Sequence, residues 1–307
     1  MNNTDRVKDF KKNDSLELSL NYFHELLEPT EINQIKDIEH QNLPIIFIVG
    51  CARSGSTLLL QYLASSGAFG FPTNFLSRFY YAPYIGAKLQ DLLFRNDFKN
   101  EIWPKQDASI FSSSLGKTKG PLAPHEFWYF WKRFFHYGII QKLSSEELVK
   151  IDFSLFFKEL NALLFYYQKP FIAKGMICNW NLSFLAKLDN RVKFIFIRRD
   201  TEKNAISLLN ARKQFFGNEN IWYSFKPPGY EKILNTSPLK QVTWQVEKTN
   251  NDILDELSAI DDSQYITINY KSLCESPLGI FDLIIKKWNI SAKITDLIPT
   301  EFNYNDS

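Results

Sequence analysis

The sequence contains little cysteine, and its cysteines stand far apart. Cys51, Cys178 and Cys274 are the only three in 307 residues. An odd number at wide spacings supplies neither a disulfide framework nor the paired ligands of a zinc site, so we expect no metal and a reducing compartment. Cys51 has no charged neighbour that would stabilise a thiolate, and we expect a small buried residue there rather than a nucleophile.

Long apolar runs are also missing, as are compositional extremes. The run that begins at Ile45 is far shorter than the ~20 residues of a membrane span. Residues 1–14 carry charges of both signs and lack the apolar stretch of a signal peptide. With 12 glycines and 13 prolines, the composition is neither fibrous nor of low complexity. These absences predict a globular cytoplasmic protein with no membrane span.

The chain has no surplus of charge, but it is rich in aromatic residues. Lys and Arg number 36 against 34 Asp and Glu, which leaves a formal net charge of +2. This balance is too close to neutrality for a general polyanion-binding surface, so we expect no nucleic-acid partner, and any anion site must be local. Aromatic residues make up 16% of the chain and could fill a bulky core or line a ligand pocket.

Short β-branched and apolar runs predict the strands of a parallel sheet. These runs lie at residues 45–49, 170–174, 192–197 and 265–269. Segments compatible with helices separate them, and strands that alternate with helices are typical of α/β proteins. We therefore predict a parallel sheet flanked by helices.

The remaining segments predict mainly helices within one domain, residues 1–307. The N-terminal part, 1–43, has an amphipathic helix over 15–27 that Pro29 should end, followed by a short helix over 31–39. Residues 75–167 show no strand pattern and are predicted to form a helical insertion. No repeat or flexible linker divides the chain.

The loop after the first predicted strand has the composition of an anion-binding turn. Residues 50–57 read GCARSGST and should join a buried strand to a helix, where backbone N–H groups can surround an anion. The spacing nearly fits G-x-x-x-x-G-K-[ST], but Ser56 replaces the lysine that serves the β- and γ-phosphates of a nucleoside triphosphate. Arg198 and Arg199, not a magnesium-binding aspartate, follow the strand at 192–197. We therefore predict a nucleotide with a short anionic group bound without a metal.

With these residues in place, the sequence resembles the sulfotransferases that use 3′-phosphoadenosine 5′-phosphosulfate (PAPS). Residues 44–60 are similar to the 5′-phosphosulfate loop of that family, closer to its bacterial, carbohydrate and tyrosyl-protein branches than to the cytosolic phenol-type enzymes. The second family motif, an Arg at a strand end with a Ser eight residues later, is matched by Arg199 and Ser207. The weaker segment 265–270 is similar to the final strand. The resemblance implies a three-layer fold of the P-loop type.

The resemblance also implies roles for individual residues. Those on the 5′-phosphate side are Arg53, Ser54, Gly55, Ser56 and Thr57. Arg53 would also contact the bridging oxygen, and Lys174 could add a second cation there. Arg199 and Ser207 would bind the 3′-phosphate, Ser207 from a helix that Asp200 or Thr201 caps and Gly217 ends.

The general base is predicted separately, because Met176 stands where cytosolic family members have a histidine. Glu126 is our first choice, since tyrosyl-protein and many sugar sulfotransferases use a glutamate, and His125 is the second. We expect both at the start of a helix, where the helix dipole would lower the pKa of Glu126 and partial burial would raise it.

The predicted activity is sulfuryl transfer from PAPS to the hydroxyl of a carbohydrate, a lipid or another small molecule. The family's adenine-stacking tryptophan has no counterpart after residue 57, and adenine recognition is unassigned. Two alternatives are a nucleoside or sugar kinase with a divergent P-loop and a nucleotide-binding protein without catalysis.

Overall fold

A parallel β-sheet lies at the centre of the protein. The structure is a computed structural model that describes residues 5–102, 111, 113–292 and 299–304. Within these residues the sheet has four strands, β1 (Ile45–Val49), β2 (Phe171–Lys174), β3 (Val192–Arg198) and β4 (Tyr265–Asn269). Their order is β2-β1-β3-β4, and all neighbours run parallel. The four predicted strands are confirmed.

Helices lie along the rest of the described chain. In order they are α1 (Asp14–Ile35), α2 (Ser56–Ser65), α3 (Pro83–Gln90), α4 (Trp128–Phe134), α5 (Ser145–Leu148), α6 (Phe153–Tyr167), α7 (Leu182–Leu188), α8 (Thr201–Phe216), α9 (Pro238–Ser258), α10 (Tyr270–Glu275) and α11 (Pro277–Lys287). Short 3-10 turns occur at Lys8–Phe10, Leu76–Phe79, Met176–Cys178, Tyr230–Ile233 and Asp262–Gln264, and a π-helical turn at Asp91–Arg95. In the described part of the chain no helix is long and apolar enough to cross a lipid bilayer.

The sheet is covered on both faces, which explains its continuous apolar sequences. All five residues of β1 are buried, because alternate side chains point to opposite faces. Phe47 and Phe194 pack on the face covered by α4, α6, α7 and α9. Ile48 and Ile195 pack on the other face, against α2, α10 and α11. This arrangement is the three-layer α/β fold that the sequence predicts.

Helix α1 differs from the prediction, because Pro29 lies inside it instead of ending it. A proline removes one helical hydrogen bond, and tertiary contacts beyond it can offset that loss. Glu31 supplies such contacts: its carboxylate is fully buried and accepts the N–H groups of Tyr84 at 2.7 Å and Ile85 at 2.9 Å. The separate helix predicted over 31–39 is therefore the end of α1.

The segment between α2 and β2 contains α3 to α6 and also a small β-hairpin, so the prediction that it lacks strands is wrong. Ser113–Ser114 and Lys117–Thr118 pair antiparallel. The turn residues Leu115 and Gly116 have φ of 47° and 81°, the positive values of mirror-image two-residue hairpin turns. Strands of two residues are too short to show an alternating pattern.

A buried ion pair connects α4 to α6 in this segment. Arg133 donates to both carboxylate oxygens of Glu159, at 2.7 and 3.0 Å, and to the carbonyl oxygen of Tyr80 at 2.7 Å. Glu159 is fully buried. Burial acts to raise the pKa of Glu159, and the charge and hydrogen bonds of Arg133 act in the opposite direction. The ionised form of this carboxyl group therefore depends on Arg133.

We expect Arg133→Met to destabilise the fold by about 3–5 kcal/mol, because it leaves a buried carboxyl group without its partner. Urea unfolding followed by circular dichroism measures this loss. The double variant Arg133→Met/Glu159→Leu should recover much of it, since both polar groups are then absent. A single variant as stable as the parent protein would contradict this account of the ion pair.

Candidate functional site

The loop between β1 and α2 forms the centre of the candidate site. Its backbone has positive φ at Arg53 (68°) and at Gly55 (100°), and Gly55 is the N-cap of α2. A Cβ atom on Gly55 would lie 2.2 Å from the ring of Tyr270, so only glycine fits beneath that ring. The loop is thus held in one conformation at the N-terminus of a helix, the arrangement expected of an anion-binding turn.

Asn179 fixes the beginning of the loop. Its side-chain amide donates to the Gly50 carbonyl oxygen at 2.9 Å, and its Oδ1 accepts the Gly50 N–H at 3.3 Å. Asn179 is fully buried. No sequence pattern points to Asn179, because it follows a short turn with no recognisable motif.

Ser54 lies within the loop with an unsatisfied hydroxyl. The side chain is fully buried, and its Oγ has no hydrogen-bond partner among the described residues. A buried donor without an acceptor costs free energy that a bound ligand oxygen can recover. Cys51, three positions earlier, is also buried, and burial raises the pKa of its thiol to about 12. It is the small buried residue that the sequence predicts.

Lys174 joins the first turn of α2 to the segment that precedes α4. It lies at the end of β2 with 6% of its side chain exposed. Its Nζ donates to Thr57 Oγ1 at 3.1 Å and forms an ion pair with Glu126 Oε1. Ser56, next to Thr57, donates to the sulfur of Met176 at 3.5 Å.

Glu126 is partly buried, with 45% of its side chain exposed. Burial acts to raise the pKa of Glu126, but the charge and hydrogen bond of Lys174 outweigh it and lower the pKa. The expected helix start is wrong: α4 begins two residues later, after Phe127 in a left-handed conformation with φ of 55°. Lys174, and not the expected helix dipole, therefore stabilises the ionised carboxylate of Glu126.

His125 faces a different set of contacts. Its Nδ1 accepts the backbone N–H of Phe127 at 2.9 Å. Burial lowers the pKa of His125 to about 4, and the positive charges of Arg78 and Lys174 add to that effect. The ring is therefore neutral near pH 7, with Nδ1 engaged as an acceptor and its proton on Nε2.

Arg53, Arg199 and Ser207 meet on the other side of the loop. Arg53 Nε donates to Ser207 Oγ at 3.3 Å, and the Arg199 guanidinium lies 4.9 Å from the centre of the Tyr270 ring. A cavity of about 250 Å³ is lined by Arg53, Leu115, Arg199, Ser207, Asn210, Ala211, Gln214 and Tyr270. The two sequence motifs thus share one cavity.

The helix that carries Ser207 has the predicted ends. Asp200 caps α8 by accepting the Lys203 N–H at 3.0 Å, and Gly217 ends it in a left-handed conformation. Leu115, Asn210, Gln214 and Tyr270 were not predicted for this cavity. Only the position of Tyr270 directly after β4 gave a signal in the sequence.

The hairpin tip covers the region between the loop and Glu126. A Cβ atom on Gly116 would lie 3.2 Å from Thr57 Oγ1, 3.3 Å from Glu126 Oε1 and 3.9 Å from Lys174 Nζ. The absence of a side chain at position 116 therefore leaves space beside these polar groups.

Comparisons with known proteins agree with this architecture. The model of the sulfotransferase family matches residues 44–292. The crystal structure of sulfotransferase STF9 from Mycobacterium avium is similar with a TM-score of 0.56 and 12% identity over 93% of this chain and 74% of that chain. Sulfotransferase STF1 from Mycobacterium tuberculosis H37Rv gives a TM-score of 0.53 and 14% identity over 87% of this chain and 73% of that chain.

At these low identities, the two structures show the fold alone. No curated protein matched the sequence. The family model spans the loop after β1, Lys174, Arg199 and Ser207. This chain belongs to the sulfotransferase family.

Proposed function

We propose that this enzyme transfers the sulfuryl group of PAPS to a hydroxyl group of a carbohydrate, a lipid or another small molecule. The observation that carries the proposal is the shared cavity in which Arg53 contacts Ser207 and Arg199 lies alongside. Two guanidinium groups and a hydroxyl suit a ligand with more than one phosphate group.

The loop after β1 fits the 5′ end of such a ligand. Gly55 is the N-cap of α2, so the N-terminus of that helix lies at the loop. The buried Ser54 hydroxyl has no acceptor among the described residues, and a phosphate oxygen would provide one. Thr57 and Ser56 begin the helix, with Lys174 at hydrogen-bond distance from Thr57. Serine in place of the P-loop lysine removes the contact that a triphosphate requires.

The chemistry needs positioning, positive charge near the leaving phosphate and a base. PAPS, when bound, would supply an activated sulfuryl group whose sulfur–oxygen bond to phosphate breaks as the bond to the acceptor oxygen forms. Arg53 would stabilise the charge that develops on the leaving phosphate, and Lys174 would assist it. Glu126 would accept the proton of the acceptor hydroxyl.

The geometry favours Glu126 over His125 as this base. The lowered pKa of Glu126 keeps its carboxylate ionised, and 45% of the side chain is exposed and accessible to an acceptor. Nδ1 of His125 accepts the Phe127 N–H, so the proton of the neutral ring is on Nε2 and neither nitrogen is free to accept a proton. A second proton would also place a positive charge on a ring whose burial lowers its pKa. Glu126 also lies beside the Lys174–Thr57 contact that reaches the loop.

Arg199→Ala should weaken binding of the product 3′-phosphoadenosine 5′-phosphate (PAP) by about 2–5 kcal/mol, because the 3′-phosphate loses a charged hydrogen-bond donor. Titration calorimetry measures the change, with Arg198→Ala as the matched control at the neighbouring arginine. Unaltered PAP affinity in Arg199→Ala would refute the assigned role. Thermal shifts with PAP, adenosine 5′-phosphosulfate and ATP test the donor class, and greater stabilisation by ATP would favour a kinase.

Glu126→Gln should reduce turnover by about 10²- to 10⁴-fold while PAP affinity is kept, because the amide cannot take the acceptor proton. Sulfate transfer from labelled PAPS to a hydroxyl acceptor library measures turnover. Glu146→Gln, a change at an acid in α5, provides the control. Full activity in Glu126→Gln would move the role of base to another residue.

Lys174→Met should move the acidic limb of the pH profile of kcat/KM to higher pH. Lys174 lowers the pKa of Glu126, whereas burial raises it, so without the ammonium the carboxylate becomes protonated at a higher pH. Lys174→Arg keeps the positive charge and should keep the limb near its original position. If the acidic limb of Lys174→Met coincides with that of the parent, Glu126 is not the group that titrates.

A further inference from the structure

The tip of the 113–118 hairpin reaches the cavity that holds the two arginines. Leu115 lines this cavity together with Arg53, Arg199 and Ser207. The next residue, Gly116, lies over Thr57 and Glu126. Two consecutive residues of one turn therefore face the two halves of the candidate site.

Leu115 occupies a backbone conformation that its side chain disfavours. Its φ is 47°, and two-residue hairpin turns with positive φ at both central residues favour Asn, Asp or Gly at this position. A non-glycine residue in the left-handed region carries a conformational cost, and such residues are concentrated at functional sites. A leucine in this position needs a compensating contact.

Among the described residues, Leu115 does not belong to the buried apolar clusters or to the residues packed against them. It lies instead in the lining of the cavity. Beside the polar groups of that cavity, Ala211 and Tyr270 are the other apolar or aromatic surfaces.

Contacts made by the residues that follow the turn hold the hairpin in place. Asn74 Nδ2 donates to the carbonyl oxygens of Thr118 at 3.3 Å and Gly120 at 2.8 Å. The Lys117 ammonium lies 4.7 Å from the ring centre of Phe10, and that ring lies 4.7 Å from the ring of Phe215 at the end of α8. The hairpin tip is therefore fixed against the helix that carries Ser207.

We propose that Leu115 is a binding residue for the nucleoside part of the sulfuryl donor. This inference rests on the proposed function. The arginines and Ser207 attract phosphate groups, and the ribose and base between them present apolar surface that needs an apolar partner. Leu115 provides it from the hairpin, and this contact offsets the cost of its backbone conformation.

The test compares Leu115→Asn with Leu115→Met by PAP calorimetry and by thermal unfolding without ligand. Asparagine tolerates the left-handed region, so Leu115→Asn should unfold at the parent temperature or above it. Its PAP affinity should nevertheless fall about tenfold, because the apolar contact is lost. Leu115→Met keeps an apolar side chain and should stay within about twofold of the parent in PAP affinity. Leu122→Asn, at an exposed leucine, is the matched control.

The outcomes separate the inference from the function on which it rests. Lower PAP affinity in Leu115→Asn with undiminished thermal stability supports a direct contact. Parent-like PAP affinity in Leu115→Asn overturns the inference and leaves the proposed function intact. Affinity that falls only together with the unfolding temperature shows a structural role and also overturns it. A parent protein that fails to bind PAP refutes the proposed function and the inference with it.

Discussion

The position of β1 between β2 and β3 decides where the charged groups of the site lie. In a parallel sheet all strands end at the same edge, and ligands bind where neighbouring connections separate. The register pairs Ile48 with Lys174, and Arg199 directly follows the last residue of β3, Arg198. A cation at the end of each neighbouring strand, Lys174 and Arg199, therefore lies close to the loop after β1 before any ligand is considered.

At this position the buried Lys174 needs a negative charge nearby, and the segment between α2 and β2 supplies it. Lys174 is 6% exposed, and a buried ammonium needs a nearby anion or ligand. Glu126 supplies the anion, and the hairpin turn at Gly116 lies against both groups. A segment with no strand in the central sheet thus contributes the proposed base. One ion pair, Lys174–Glu126, thus connects the end of β2 to this segment.

Sequence patterns predicted the elements whose structure is determined by a few consecutive residues. The apolar strands, the loop after β1 and the caps of α8 follow from a few consecutive residues each, and all four strands and both caps are confirmed. Pro29 misled the prediction of α1, because the buried Glu31 carboxylate bonded to α3 outweighs one missing helical hydrogen bond. Such a long-range contact leaves no periodic pattern.

The residues missed at the site share this long-range character. Asn179, Tyr270 and Leu115 act on a loop or cavity built from distant parts of the chain, and no spacing rule connects them to it. Leu115 is the clearest example, because leucine is disfavoured in the left-handed backbone conformation that it adopts. Local preference calls for a small polar residue at a left-handed turn position, so the leucine reports a constraint that lies outside the hairpin. The residues proposed to bind phosphate lie in contiguous motifs that the sequence shows. Those proposed to face the nucleoside and the acceptor are brought together by tertiary contacts, which only the three-dimensional structure shows.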